Sequence, residues 1–220
     1  AVFSNAQLTI NETYELSSAK KIALHLKFAD DINVKAWNSN KLQITGTVSI
    51  NNDQLNEIHE YSVDQSDDML EITTGFNEKL LKKHRNNRTE KCKGCQNNTY
   101  INDCCICSEI QYEIFVPADV DMELQTISGN IVITGLSGPV HAKSISGFID
   151  MSWNDYPADL ELKTITGELY SDLDIDFLNR KKEHFFVGYE LKGKLKGGGN
   201  SVHLETISND IFLRKEPYHY

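Results

Sequence analysis

Several features that would place this chain in a common catalytic or membrane class are missing. No stretch approaches the 18 or more apolar residues of a membrane-spanning helix. Helical periodicity is scarce: Glu78 to Arg88 reads as one short helix without a wide apolar stripe. There is no Gly-x-Ser-x-Gly elbow, and the seven histidines (His25, His59, His84, His141, His184, His203 and His219) never form a His-Glu-x-x-His pair, so neither a serine hydrolase nor a zincin can be assembled. The run Gly197-Gly198-Gly199 lacks the Gly-Lys-Ser/Thr and the helix of a phosphate-binding loop and reads as a flexible turn. Basic residues are in deficit, 22 against 32 acidic ones for a net charge of −10, which argues against nucleic acid and anionic membranes as partners.

What the chain does have is a repeated phrase. Ser128-Gly129-Asn130-Ile131, Ser146-Gly147-Phe148-Ile149, Thr166-Gly167-Glu168-Leu169, Val187-Gly188-Tyr189-Glu190-Leu191 and Ser208-Asn209-Asp210-Ile211 recur at steps near 20 residues. Four copies follow an alternating stretch, as in Met122-x-Leu124-x-Thr126-Ile127 and Val202-x-Leu204-x-Thr206-Ile207. Alternate residues of a strand share a face. The apolar positions change parity within each copy, from Val140 and Ala142 to Ile145, Ile149 and Met151. That change implies a corner at which the strand bends while keeping its apolar face inward. Two short strands per coil of about 20 residues is the pattern of an all-β, right-handed β-helix or β-solenoid. An antiparallel sandwich with shared Thr-Gly turns is the competing architecture.

The rest of the organisation follows from composition and alternation. Residues 1–7 look like a signal-peptide remnant, with small residues placed for a cut after Ala6, or a disordered start. Residues 8–84 form an N-terminal β region, with strands at 21–28, 32–37, 42–50 and 69–72 separated by Asp/Asn/Ser turns. Leu55 to Tyr61 reads as a linker or half-buried strand. Residues 85–107 are a cysteine-rich insertion, and 108–220 hold the repeats. Trp37 and Trp153 read as packing residues rather than sugar platforms.

The phrases Leu124-Gln125-Thr126-Ile127-Ser128-Gly129-Asn130-Ile131 and Leu204-Glu205-Thr206-Ile207-Ser208-Asn209-Asp210-Ile211, with Tyr112-Glu113-Ile114-Phe115-Val116-Pro117 before them, resemble the bacterial putative-adhesin family with Thr-x-Ser-Gly-Asp-Ile repeats. The resemblance spans roughly residues 20 to 215. It implies an exported protein of that fold and is nearly silent on chemistry. Asn209 in place of the usual Gly and the cysteine-rich insertion depart from the pattern.

All five cysteines fall within that insertion: Cys92, Cys95, Cys104, Cys105 and Cys107. Disulfides clipping a long loop fit an exported protein. The Cys92/Cys95 and Cys104/Cys107 pairs also have the spacing of zinc or iron–sulfur ligands, and a reactive redox pair beside Lys91 and Lys93 is a third reading. Asp172, Asp174 and Asp176, taken as one strand face, form a calcium-ligand row or simply a solvated acidic face. Asp150, Asp155, Asp159, Asp172 and Asp174 are the carboxylates to follow if the fold carries a carbohydrate-active enzyme. The sequence points first to a non-enzymatic, extracytoplasmic interaction protein with a protein or surface glycan as partner and no expected cofactor. The alternatives are that enzyme, or a metal- or redox-responsive envelope protein using the cysteine loop.

Overall fold

The computed structural model describes residues 6–16, 21–84, 98–101, 104–154, 156–178 and 189–216. The N-terminal half contains strands β1 (Leu8–Glu15), β2 (Lys21–Leu26), β3 (Asp31–Trp37), β4 (Lys41–Ile50), β5 (His59–Gln65) and β6 (Met69–Phe76). A short helix α1 (Glu78–His84) follows, its first turn capped by Asn77, whose side-chain oxygen accepts from the Lys79 and Leu80 amides. Then come β7 (Asn98–Ile101) and the long β8 (Cys104–Pro117). The repeat region supplies β9 (Asp121–Thr126), β10 (Asn130–Thr134), β11 (Val140–Ser144), β12 (Ile149–Trp153), β13 (Ala158–Thr164) and β14 (Leu169–Ser171). It closes with β15 (Asp176–Phe177), β16 (Tyr189–Leu195), β17 (Asn200–Thr206) and β18 (Ile211–Lys215).

These strands form two facing mixed sheets, neither of them closed. Sheet A runs β1-β4-β8-β3-β10-β12-β18-β14, with β7 attached to β8, and sheet B runs β15-β16-β13-β17-β11-β9-β2-β6-β5. The centre of each is parallel; both ends of sheet B and the β1 end of sheet A are antiparallel, while β14 closes sheet A in parallel. Each coil contributes one strand to each sheet, and alternation sends its apolar residues into the space between them. Ladders of like residues result: Leu24, Leu124, Ala142, Leu204 and Leu162 in sheet B, and Ile32, Ile131, Ile149 and Ile211 in sheet A, all buried. Each such side chain contributes roughly 1.5–3 kcal/mol by leaving water.

The coils do not stack in chain order. From the N-terminal side the order is β2/β3, β9/β10, β11/β12, β17/β18 and then β13/β14, so the last coil lies between the third and the one that precedes it in sequence. The glycine triplet makes this possible. After β16 pairs antiparallel with one edge of β13, the chain turns at Lys196, Gly197 and Gly198, all at positive φ, and β17 enters on the other edge. A Cβ on Gly199 would lie 2.4 Å from the Pro157 carbonyl oxygen, so the chain crosses the start of β13 at backbone contact. The triplet is therefore a structured crossover rather than a flexible turn.

The fourth copy of the repeat also departs from expectation. Val187 and Gly188 lie outside the described residues, and Tyr189–Leu195 is an antiparallel strand between β15 and β13 rather than part of a parallel coil. In its place β2/β3, which lacks the phrase, forms a full coil in register with β9/β10.

Candidate functional site

The repeated phrase builds a corner. Thr126, Ser144, Thr206 and Thr164 end their sheet-B strands pointing inward and are buried. Each hydroxyl donates to a carbonyl of the neighbouring coil: Leu26, Gly129, Gly147 and Asn209 respectively, at 2.7–3.0 Å. The same oxygens accept from the amides of Gly129, Gly147 and Gly167 three residues on. The corner thus satisfies backbone groups that would otherwise be buried unpaired. Glycine is required because the coils touch there: a Cβ on Gly147 would lie 1.9 Å from the Gly129 oxygen, and one on Gly167 1.9 Å from the Asn209 oxygen.

The isoleucine of each phrase points the other way. Ile145, expected in the core, is 38% exposed, as are Ile127 at 38% and Ile165 at 37%. The parity change is real, but it runs from Ser144 to Ile149, with Ile145 on the outside of the bend. Corner hydrogen bonds place Lys27, Ile127, Ile145, Ile207 and Ile165 in one row across successive coils. A recess of about 380 Å³ beside its first members is lined by His25, Glu71, Gln125, Ile127, Lys143 and Ile145.

The outer face of sheet B is a grid of charge. Lys21 pairs with Glu123, Lys143 and Lys163 with Glu205, and Lys192 with Glu161 and Glu190. A hydrogen bond and the charge of Lys21 hold the Glu123 carboxyl below its usual range. Burial pushes Glu205 up, but its bond to Lys143 and the charges of Lys143 and Lys163 outweigh it and leave the carboxyl low. His141 and His203 occupy matching positions on β11 and β17, with ring centroids 4.6 Å apart. Burial, then the neighbouring His203, lowers the His141 pKa. Surface ion pairs of this kind contribute about 0–1 kcal/mol each, so the grid ties strands together weakly.

The outer face of sheet A carries an aromatic shelf. Phe212 on β18 and Tyr170 on β14 are register partners, stacked at 5.1 Å and 8°. Phe148 meets Phe212 edge-on at 6.4 Å. The Arg214 guanidinium lies 5.0 Å from the Phe212 ring centre and donates to Asp150 at 2.7 Å. Tyr170 is 46% exposed, stands on the terminal strand of its sheet, and donates its hydroxyl to Glu168. Burial raises the Asp150 pKa while Arg214 lowers it, the net result being upward.

Beyond Ser171 the chain leaves β14. Asp172, Asp174 and Asp176 do not share a strand face, since β14 stops at Ser171 and β15 begins at Asp176. They line a recess of about 670 Å³ together with Lys194, Lys196 and Lys215. Asp172 accepts from the Lys215 amide. Among the described residues no three His, Cys, Asp or Glu side chains are placed to hold a metal ion. Asp159 accepts from the Gly199 amide and pairs with Lys194, and Asp155 lies outside the described residues.

Of the cysteines, Cys92 and Cys95 lie outside the described residues, and Cys104 and Cys107 lie on β8. Cys107 is disulfide-bonded. Trp153 is buried and donates to the Tyr156 carbonyl, and half-buried Trp37 donates to the Lys41 carbonyl, so both are packing residues. Sequence reasoning missed the aromatic shelf. Aligning the repeats puts Tyr170 and Phe212 at one position, but the copy at residues 187–191 stands between them in sequence, and only the inserted final coil makes them neighbours.

No family model and no curated protein matches the chain. Among solved structures it is similar to a putative cell adhesion protein from Clostridium sporogenes ATCC 15579, with a TM-score of 0.52 and 12% identity over 96% of this chain and 100% of that one. At that identity the likeness is one of fold. A putative adhesin from Bacteroides fragilis NCTC 9343 aligns over 96% of this chain and 99% of its own at 10% identity, but with a TM-score of 0.24. No described helix is long and apolar enough to cross a membrane.

Proposed function

We propose that the chain is a non-enzymatic, extracytoplasmic interaction module of the adhesin type, built on a β-solenoid-like stack. The coils are taken as right-handed, as parallel crossovers almost always are. The observation that carries the reading is the row of isoleucines, Ile127, Ile145, Ile207 and Ile165, held outside the corner by a motif whose core function is performed by Thr and Gly. Apolar residues in register, three of them exposed and Ile207 half-buried, beside charged rows, suit contact with another surface. The fold likeness to a protein named for cell adhesion agrees with it. The disulfide at Cys107 supports an oxidising compartment, and the repeat motif supports kinship with the putative-adhesin family.

The recess that holds Asp172, Asp174 and Asp176 beside Lys194, Lys196 and Lys215 favours one rival, a carbohydrate-active enzyme with two working carboxylates. Labelled protein incubated with intact bacterial and epithelial cells, and separately with soluble polysaccharides, distinguishes the two. Saturable retention on cells with no new reducing ends is the expected result. Release of reducing ends without retention would overturn the reading in favour of the enzyme.

A further inference from the structure

We infer that the exposed face of Tyr170, at the end of sheet A, is a binding subsite for a neutral pyranose of a glycan. This inference rests on the interaction-module reading and names its ligand class. Phe212 covers one face of the Tyr170 ring, and Phe148 and Arg214 brace Phe212 in turn. The ring is therefore held upright on a supported stack rather than lying loosely on the surface. Because β14 is the last strand of sheet A among the described residues, the other face of the ring points past the sheet edge.

An aromatic face is electron-rich, and a pyranose offers a complementary flat patch of weakly positive C–H groups. The ring alone would be indifferent to what stacks on it, so the polar rim supplies the selection. Glu168 holds the Tyr170 hydroxyl and is itself oriented through its amide, which donates to Asp210. A carboxylate accepts from sugar hydroxyls and offers nothing to an anion. Two residues past Tyr170, Asp172 opens the recess lined by three aspartates and three lysines, where further sugar residues would meet hydrogen-bonding groups. Arg214, the cation braced against the shelf, is paired with Asp150. The Glu168 carboxylate beside the ring therefore favours neutral hexoses and N-acetylhexosamines over sialylated or uronate-rich chains, in keeping with the net charge of −10.

The test is saturation-transfer NMR and titration of the full chain with cellotriose, chitotriose, lactose, sialyllactose and trigalacturonate. At least one neutral oligosaccharide should bind with a Kd of about 1 mM, and the two anionic ones should bind at least tenfold more weakly. Tyr170→Ala should weaken the neutral ligand about tenfold or more, whereas Tyr170→Trp, which keeps an aromatic face, should retain it. Near-identical circular dichroism and melting of the variants would show that the loss is local. Absence of neutral-sugar binding, or binding unchanged in Tyr170→Ala, would overturn the inference. If cell retention persists in either case, the interaction-module reading survives and only the site assignment fails. If the protein binds neither sugars nor cells, both fail.

Discussion

His59 lies on β5 with its Nε2 3.0 Å from the Tyr112 hydroxyl, and burial lowers its pKa from 6.5 to about 4. Burial also pushes the Tyr112 phenol up to about 12, so Tyr112 stays neutral throughout that range. The unfolded chain takes up a proton at this histidine near pH 6.5 and the folded chain only near 4. Between those values the unfolded state holds more protons, so the stability from this site is complete above about pH 6.5 and falls as the pH drops. The fall is at most about 1.4 kcal/mol per pH unit. Urea denaturation at intervals from pH 7 to pH 4 should show it, and His59→Gln should flatten the curve over that window. A variant curve as steep as that of the unaltered protein would remove His59 from the account.

The corner is the element that the sequence discloses best. A Thr or Ser, an Ile and a Gly recur together because each meets a separate demand: a hydroxyl for a buried carbonyl, an outward residue on the bend, and room for the next coil. Period-2 alternation located most strands, including β2, β3, β4 and β6, and identified the inward ladders correctly. Alternation does not identify the residue on the outside of a bend, which is why Ile145 was expected in the core. The three-aspartate segment failed for a related reason, since alternating Asp and Leu or Ile looks like strand whether or not a partner strand is available. Because the demand at the glycine is close approach, Gly147→Ala should destabilise by at least about 2 kcal/mol. Gly75→Ala on β6, where a Cβ meets nothing within 4 Å, should change stability by less than about 0.5 kcal/mol. Urea midpoints of the two variants measure the difference, and equal midpoints would contradict the corner.

At the scale of the whole molecule, the decisive feature is that the last coil in sequence is an interior coil in space. A period of about 20 residues reveals that coils stack, but carries no information about their order. That order depends on the crossover at residues 196–199, whose glycines look like any flexible turn until the contact with Pro157 is seen. The consequence is that β17 is paired on both sides, to β11 and β13, and β18 likewise to β12 and β14. β14, earlier in the chain, is the exposed edge that presents Tyr170. Ends of chains ordinarily fray, and strands paired on both sides open only with the whole domain. Native-state hydrogen exchange, resolved by residue, therefore tests the central claim most directly. The amides of Val202–Thr206 and Ile211–Leu213 should exchange as slowly as those of β11 and β12, and more slowly than those of β14. Exchange of the last coil faster than β14, by fraying from the C-terminal end, would contradict the inserted order and with it the placement of the proposed binding edge.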